Sequence, residues 1–182
     1  VRCVVTATNA VGAASANSND ITVPLAVGDA YGGGFFAGKI STAGNGTADF
    51  NLVVGPVASA QNSSKQWKTA NTDTAGTSSV IDGPGNSATM NNASHPAALF
   101  CEAVNVGGFT DWYMPAANEL EVCYYNLKPT TTTNNTTSGI NANAVPARAS
   151  SYTSGDPAQT SATDFKSTGA EDFAAVSYWA ST

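Results

Sequence analysis

Few residues of this chain are of types that do chemistry, and their spacing argues mostly for structure. His95 is the only histidine and sits beside Pro96. A catalytic triad needs histidine held between a nucleophile and a carboxylate, and no G-x-S-x-G motif accompanies it. It reads as a surface or helix-capping residue. The three cysteines, Cys3, Cys101 and Cys123, are too few and too unevenly spaced for a disulfide scaffold or a zinc site. Cys101 and Cys123 fall on the inward faces of expected helices, where a free thiol packs as a small hydrophobe. Gly33, Gly38 and Lys39 approach the phosphate loop G-x-x-x-x-G-K-[ST], but Ile40 stands where a hydroxyl must bind Mg²⁺. The following "STAGNGTADFNLVVG" also reads as turn then strand, not as a helix whose N-terminus could hold phosphate. Glu119 and Glu121 lie in the first turns of a helix, where negative charge suits the dipole, so they read as stabilising rather than as an acid/base pair. Asp73, Asp82 and Asp156 offer hard oxygen ligands suited to Ca²⁺, yet no spacing singles out a site. No catalytic residue, metal or cofactor is expected.

The most informative stretch is residues 129 to 170, "PTTTTNNTTSGINANAVPARASSYTSGDPAQTSATDFKSTGA". An insertion of this length without periodicity is functional or disordered. Its charges are Arg148, Asp156, Asp164 and Lys166, and its aromatics are Tyr152 and Phe165. Amides and hydroxyls with a few aromatics suit polyhydroxyl ligands or adaptable protein contacts, and a solvated spacer would have the same composition. Read as a binding surface, it offers Arg148, Tyr152, Asp156 and Asp164 as partly exposed contacts on a loop packed against the domain.

Several elements must position that surface. "RCVVTAT", the turn "NAVG" and "ASANSNDITVP" read as a β-hairpin over residues 2 to 24. "YGGGFFAGKI" reads as a glycine-rich strand whose backbone lies close to a neighbour, and residues 56 to 93 as loops. A short helix near residues 95 to 105 starts at Ser94 and Pro96 and carries Ala97, Phe100, Cys101 and Val104 on one face. Gly107 and Gly108 end it, "FTDWYM" is extended, and Pro115 opens a second helix near 116 to 127, with Leu120, Cys123, Tyr124 and Leu127 at i, i+3, i+4 and i+7.

Composition bounds the function. The 182 residues are 42% hydrophobic and 11% charged, with 7 basic and 13 acidic residues giving a net charge of −6. A real core is affordable at this length, while the phosphate-neutralising charge that dominates nucleic-acid affinity is missing. No apolar run reaches the about 20 residues that span a bilayer, and no signal sequence is recognisable. Thr, Ser, Asn, Ala and Gly stand where Lys and Glu are usual, a texture common in secreted adhesins and virion proteins. Val1 in place of Met, and a close on "SYWAST" after a strand-like run, suggest a piece of a longer polypeptide.

Two resemblances follow from these motifs. "CVVTATNAVG" is similar to the last two strands of an immunoglobulin-like or fibronectin-III-like sandwich, which would turn Cys3 inward against residues upstream of Val1; the alternative is a first hairpin of the following domain. "AALFCEAV", "GGFTDWYMPAANEL" and "YWAST", in that order, together with "YGGGFFAG" and "QWKTANTDTAGTSSVIDGPGNS", resemble the C-terminal domain family of Lcl-type collagen-like adhesins. That family is related to the C-type-lectin-like fold in the branch shared with formylglycine-generating enzyme. The resemblance implies domains at 1–24 (an Ig-like fragment) and 25–182 (a C-type-lectin-like domain lacking final strands), and an α+β fold with two short helices and long loops. It further implies that Trp112, Tyr113 and Met114 form a strand and that Trp112 and Trp179 are core.

Departures from the family are informative. Tyr113 and Met114 replace its Arg and Leu, which removes any ion pair of that Arg. Ala116 replaces Thr, reducing a Thr-x-x-Glu capping box to Glu119 alone, at a cost of about 1 kcal/mol unless something else caps the helix. The cysteines of formylglycine-generating enzyme and the Ca²⁺-binding triplets of sugar-binding lectins are not reproduced. The resemblance therefore implies a non-enzymatic virion surface protein: a phage tail fibre, baseplate or capsid decoration, recognising a host-cell surface glycan or protein or docking to other virion proteins. A homo-oligomer, no nucleic acid and no membrane insertion are expected. A bacterial cell-surface or secreted adhesin of the same fold is the alternative.

Overall fold

The computed structural model describes residues 24–174 and 176–182 in full and, as backbone strands, residues 4–9 and 12–17. The strands β1 (Val4–Asn9) and β2 (Gly12–Asn17) pair antiparallel from Val4↔Asn17 to Asn9↔Gly12. Alternating Val, Thr and Ala suit such a ladder. The inward orientation expected of Cys3 lies outside the described residues.

A second antiparallel sheet follows, in the order β3 (Ala30–Tyr31), β4 (Gly34–Ile40), β5 (Phe50–Val54). The glycines of β4 are there for close approach. A Cβ on Gly34 would lie 2.2 Å from the Val54 carbonyl oxygen, and one on Gly38, at φ +134°, would lie 2.3 Å from Asn126 Nδ2. Gly38 sits at the register break after Phe36, where the ladder shifts. Without a side chain there, the strand lies flush on the helix α4 (Ala117–Leu127), whose Asn126 donates to the Ala37 carbonyl at 2.8 Å.

Three shorter helices complete the set among the described residues: α1 (Val57–Ala60), α2 (Gly83–Thr89) and α3 (Pro96–Glu102). With the antiparallel sheet and separate helices, the architecture is α+β. α3 and α4 occupy the two expected segments, whereas the single turn α1 and the longer α2 lie in the stretch 56 to 93 that reads as loop, so two helices become four among the described residues. The first four residues of α2, Gly83, Pro84, Gly85 and Asn86, carry turn signals, but Asp82 caps it by accepting from Gly85 N at 2.9 Å. Tertiary contacts then hold it: Ser87 Oγ accepts from Met114 N at 3.1 Å, and Asn86 Nδ2 donates to Ser79 O and to Ser181 Oγ.

Two apolar clusters form the interior. The larger joins Ala37, Ile40 and Leu52 of the sheet to Val122, Cys123 and Leu127 of α4, with Ala144 and Phe165 from the insertion. The smaller gathers Met90, Ala97, Ala98 and Met114, with Trp67 and Cys101 against it. The two thiols thus belong to different clusters and are free. Burial pushes Cys101 up to about 11 and Cys123 up to about 12, so both are protonated and poor nucleophiles at neutral pH.

Several expectations are corrected. The buried stripe of α4 is Glu119, Val122, Cys123 and Leu127; Leu120 is half-buried and Tyr124 is exposed, because Tyr124 turns toward the insertion. Residues 110–116 join no strand and run as irregular chain into α4. Trp112 is half-buried and Trp179 is 58% exposed. The indole packed against an apolar cluster is the half-buried Trp67, which donates to Ala180 O at 2.8 Å and meets His95 edge-to-face at 5.7 Å. His95 is 5% exposed, neither a surface residue nor a side-chain cap. Its Nδ1 faces the amide oxygen of Asn92 at 2.9 Å and so donates; its Nε2 then accepts from Thr74 Oγ1 at 2.8 Å, whose oxygen takes a proton from Lys68 Nζ. Burial, then the Lys68 charge, holds the imidazole below its ordinary range, as this neutral tautomer requires.

The start of α4 has a second cap. Glu119 accepts from Ala116 N at 2.8 Å, completing half of a capping box, and alanine supplies no other half. The Thr182 hydroxyl accepts from Ala117 N at 3.1 Å while donating to Ser79 O at 2.8 Å. A hydroxyl distant in sequence thus replaces the missing Thr side chain.

Candidate functional site

The insertion is ordered by side-chain hydrogen bonds, not by ladders. Its hub is Glu121 on α4. The carboxylate is gripped by the guanidinium of Arg148, the phenol of Tyr152 and the amide of Asn141. Asn141, 1% exposed, also donates to the Asn118 carbonyl at 2.9 Å and accepts from Asn143 N and Ala144 N at 3.0 Å. Its backbone exchanges two 2.9 Å hydrogen bonds with Arg148. One buried amide therefore closes a loop and ties it to the helix.

A second staple is Asn134. Its amide donates to Thr153 O, Ser154 O and Pro157 O, and its oxygen accepts from Tyr124 OH at 2.9 Å. Lys128 is buried with Nζ on Pro157 O at 3.0 Å. The loop also touches the sheet: Val145 N donates to Lys39 O, Ser41 N donates to Asn143 O, and Ala144 bridges Ile40. Sequence-distant groups so satisfied make the loop part of the fold.

Arg148 is half-buried, its Cζ 4.2 Å above the Tyr125 ring, and its Nε donates to Gly139 O at 3.3 Å. Burial lowers its affinity for the proton, yet a guanidinium against a carboxylate stays charged. Tyr152 is 6% exposed and stacks near Tyr124 and Tyr125. Burial pushes its phenol up to about 12, so it remains a donor to Glu121. Gly139 has φ +113°, and a Cβ there would meet the Tyr152 ring at 2.4 Å.

Of the four residues expected to be partly exposed, Arg148, Tyr152 and Asp156 come together; Tyr125 OH lies 3.4 Å from Asp156 Oδ1. Tyr152 is buried rather than partly exposed, because its hydroxyl is needed by Glu121. Asp156 is exposed. Asp164 is exposed on the 3-10 turn Thr163–Phe165, away from the hub, where Phe165 enters the main core. The solvent side carries Ser150, Ser151, Thr153, Ser154 and Asp156, with Ile140 64% exposed.

Sequence reasoning missed Glu121, Asn134 and Asn141. One signal was present: Arg148 is the only basic residue from 129 to 165, and a guanidinium in a neutral loop needs an acid. The oxygens of Glu121 are occupied by Arg148, Tyr152 and Asn141. Among the described residues no group of His, Cys, Asp and Glu could hold a metal ion, and no helix is long and apolar enough to cross a membrane. The arrangement can hold a polar surface in fixed shape. Compared with family models, curated proteins and solved structures, the chain matches none.

Proposed function

We propose that the chain is a non-enzymatic recognition module of a virion surface, a C-type-lectin-like domain of a phage tail fibre, baseplate or capsid decoration, preceded by the end of an Ig-like domain. It binds a host-cell surface glycan or protein through the insertion. The supporting observation is the Glu121 hub: a 42-residue irregular segment, counted from 129 to 170, is pinned through Arg148, Tyr152 and Asn141. Pinning removes the entropy that a floppy loop would lose on contact. What the pinned loop turns outward is mainly hydroxyls and amides, with the carboxylates of Asp156 and Asp164, groups that pair with sugar hydroxyls or a polar protein surface.

The residues around Tyr113 suit this fold. Where the resembled family has Arg, Tyr113 OH donates to Glu119 Oε1 at 3.2 Å, so a phenol stands in the place of a cation.

The test replaces exposed groups only. The triple variant Ser150→Lys, Ser151→Lys, Thr153→Lys keeps the hub and changes the outward face. Binding of the purified chain to host bacteria and to immobilised surface glycans should fall about tenfold or more, with an unchanged helical signal. Full binding by the folded variant would overturn the reading.

A further inference from the structure

On the other side of α4 from the hub lies a cleft of about 640 Å³. The cleft opens to solvent, and its volume falls in the range of small-molecule pockets. Its walls are Val53 and Val54 of β5, Phe100 of α3, Trp112, Leu120 of α4 and Phe173. Three further lining aromatics, Tyr31, Phe109 and Trp179, are 43%, 44% and 58% exposed. Three partly open aromatic faces thus gather at this cleft, while Phe36 is packed away at 4% exposed.

Charge in the cleft has one sign. Asp111, Glu119 and Glu171 line it, and among the described residues no Lys, Arg or His does. Glu119 is engaged by Ala116 N and Tyr113 OH, and Glu171 Oε2 accepts from Val57 N at 2.8 Å. Asp111 is exposed. Aromatic faces attract cations through their quadrupoles, most strongly when both are shielded from water, and carboxylates beside an apolar wall act in the same sense.

We infer that this cleft binds a small organic cation, an ammonium group carried on an aromatic or alkyl body, with the body against Val53, Phe100 and Leu120 and the ammonium toward the aromatic rings and carboxylates. This site is separate from the insertion surface and does not depend on the recognition function proposed for it.

The test uses the full chain and three probes with the same apolar body: (4-phenylbutyl)trimethylammonium, 4-phenylbutanol and 4-phenylbutyrate. Calorimetry and tryptophan fluorescence should show the cation binding about tenfold or more tighter than the alcohol, and the anion weakest. Asp111→Asn should weaken the cation about two- to fivefold and leave the alcohol unchanged. Val57→Trp, which adds bulk on the cleft wall, should weaken both. The inference is overturned if none of the probes binds at millimolar concentration. It is equally overturned if the alcohol or the anion binds as tightly as the cation, which would mark the cleft as a place for neutral lipid or an apolar protein segment. A cation preference untouched by Asp111→Asn and by Glu171→Gln would remove the carboxylates from the account.

Discussion

The two flanks of α4 solve opposite problems with the same helix. On one flank, the insertion has almost no regular structure, yet Glu121, Asn134 and Asn141 fill their hydrogen-bonding capacity and leave it tightly held. On the other, regular elements, β5, α3 and the start of α4, enclose a cleft walled by aromatics that are not packed away. Regularity of backbone is therefore a poor guide to rigidity here. What decides it is whether buried polar groups find partners and whether apolar faces find neighbours.

Perturbing each flank should give different signatures. The largest loss is expected from Phe165→Ala. Its ring is 2% exposed in the main core and meets Phe35 edge-to-face at 5.3 Å, so urea unfolding should show a loss of about 3–5 kcal/mol. It follows that deleting residues 130 to 168 removes part of the core and is not a neutral test of binding. Glu121→Ala leaves Arg148 unpaired beside Tyr125. With side-chain exposures of 14% and 18% for the pair, the loss should be about 2–4 kcal/mol, recovered in part by Arg148→Met on the same background. Gly139→Ala places a methyl on the Tyr152 ring and should cost about 1–3 kcal/mol. By contrast, Leu120→Ala on the open flank should cost less than Phe165→Ala, since Leu120 is only half-buried.

The smallest expected effect is a pH dependence. Burial raises the Glu119 carboxyl above its ordinary 4.5, against the lowering effect of its hydrogen bonds. The folded chain then holds this proton more tightly than the unfolded chain. Its contribution to stability is full below about 4.5 and declines as pH rises through the raised folded value. Glu119→Gln, which still accepts from Ala116 N, should flatten that part of the thermal midpoint's pH profile. An unchanged slope would mean that another group carries it.

Much of the regular structure was legible because it rests on local signals. Pro96, the glycines at 107 and 108 and the spacing of Cys123 and Leu127 mark α3 and α4, and the turn before Phe50 marks the β4–β5 pair. α2 was not legible, because contacts at Ser87 and Asn86 from residues 114 and 181 override a turn-forming sequence. The insertion's composition fits a binding surface and a solvated spacer alike, and it does not give the shape. Asn134 looks like every other Asn of "TTTTNNTTSG", and only the fold places three carbonyls around it. Tyr152 stands out in the sequence as an aromatic in a polar loop, but the Glu121 carboxylate and the Tyr124 and Tyr125 rings that bury it are set by the fold.

The account's central claim is that the insertion is a fixed surface, and native-state hydrogen exchange tests it most directly. The amides of Asn141, Tyr152 and Thr160 donate to Arg148 O, Ser138 O and Lys128 O. They should exchange slowly, within about tenfold of the amides of α4, and lose that protection together in Glu121→Ala. Exchange of all three at unprotected rates while α4 stays protected would show the insertion to be a solvated spacer and would contradict the claim.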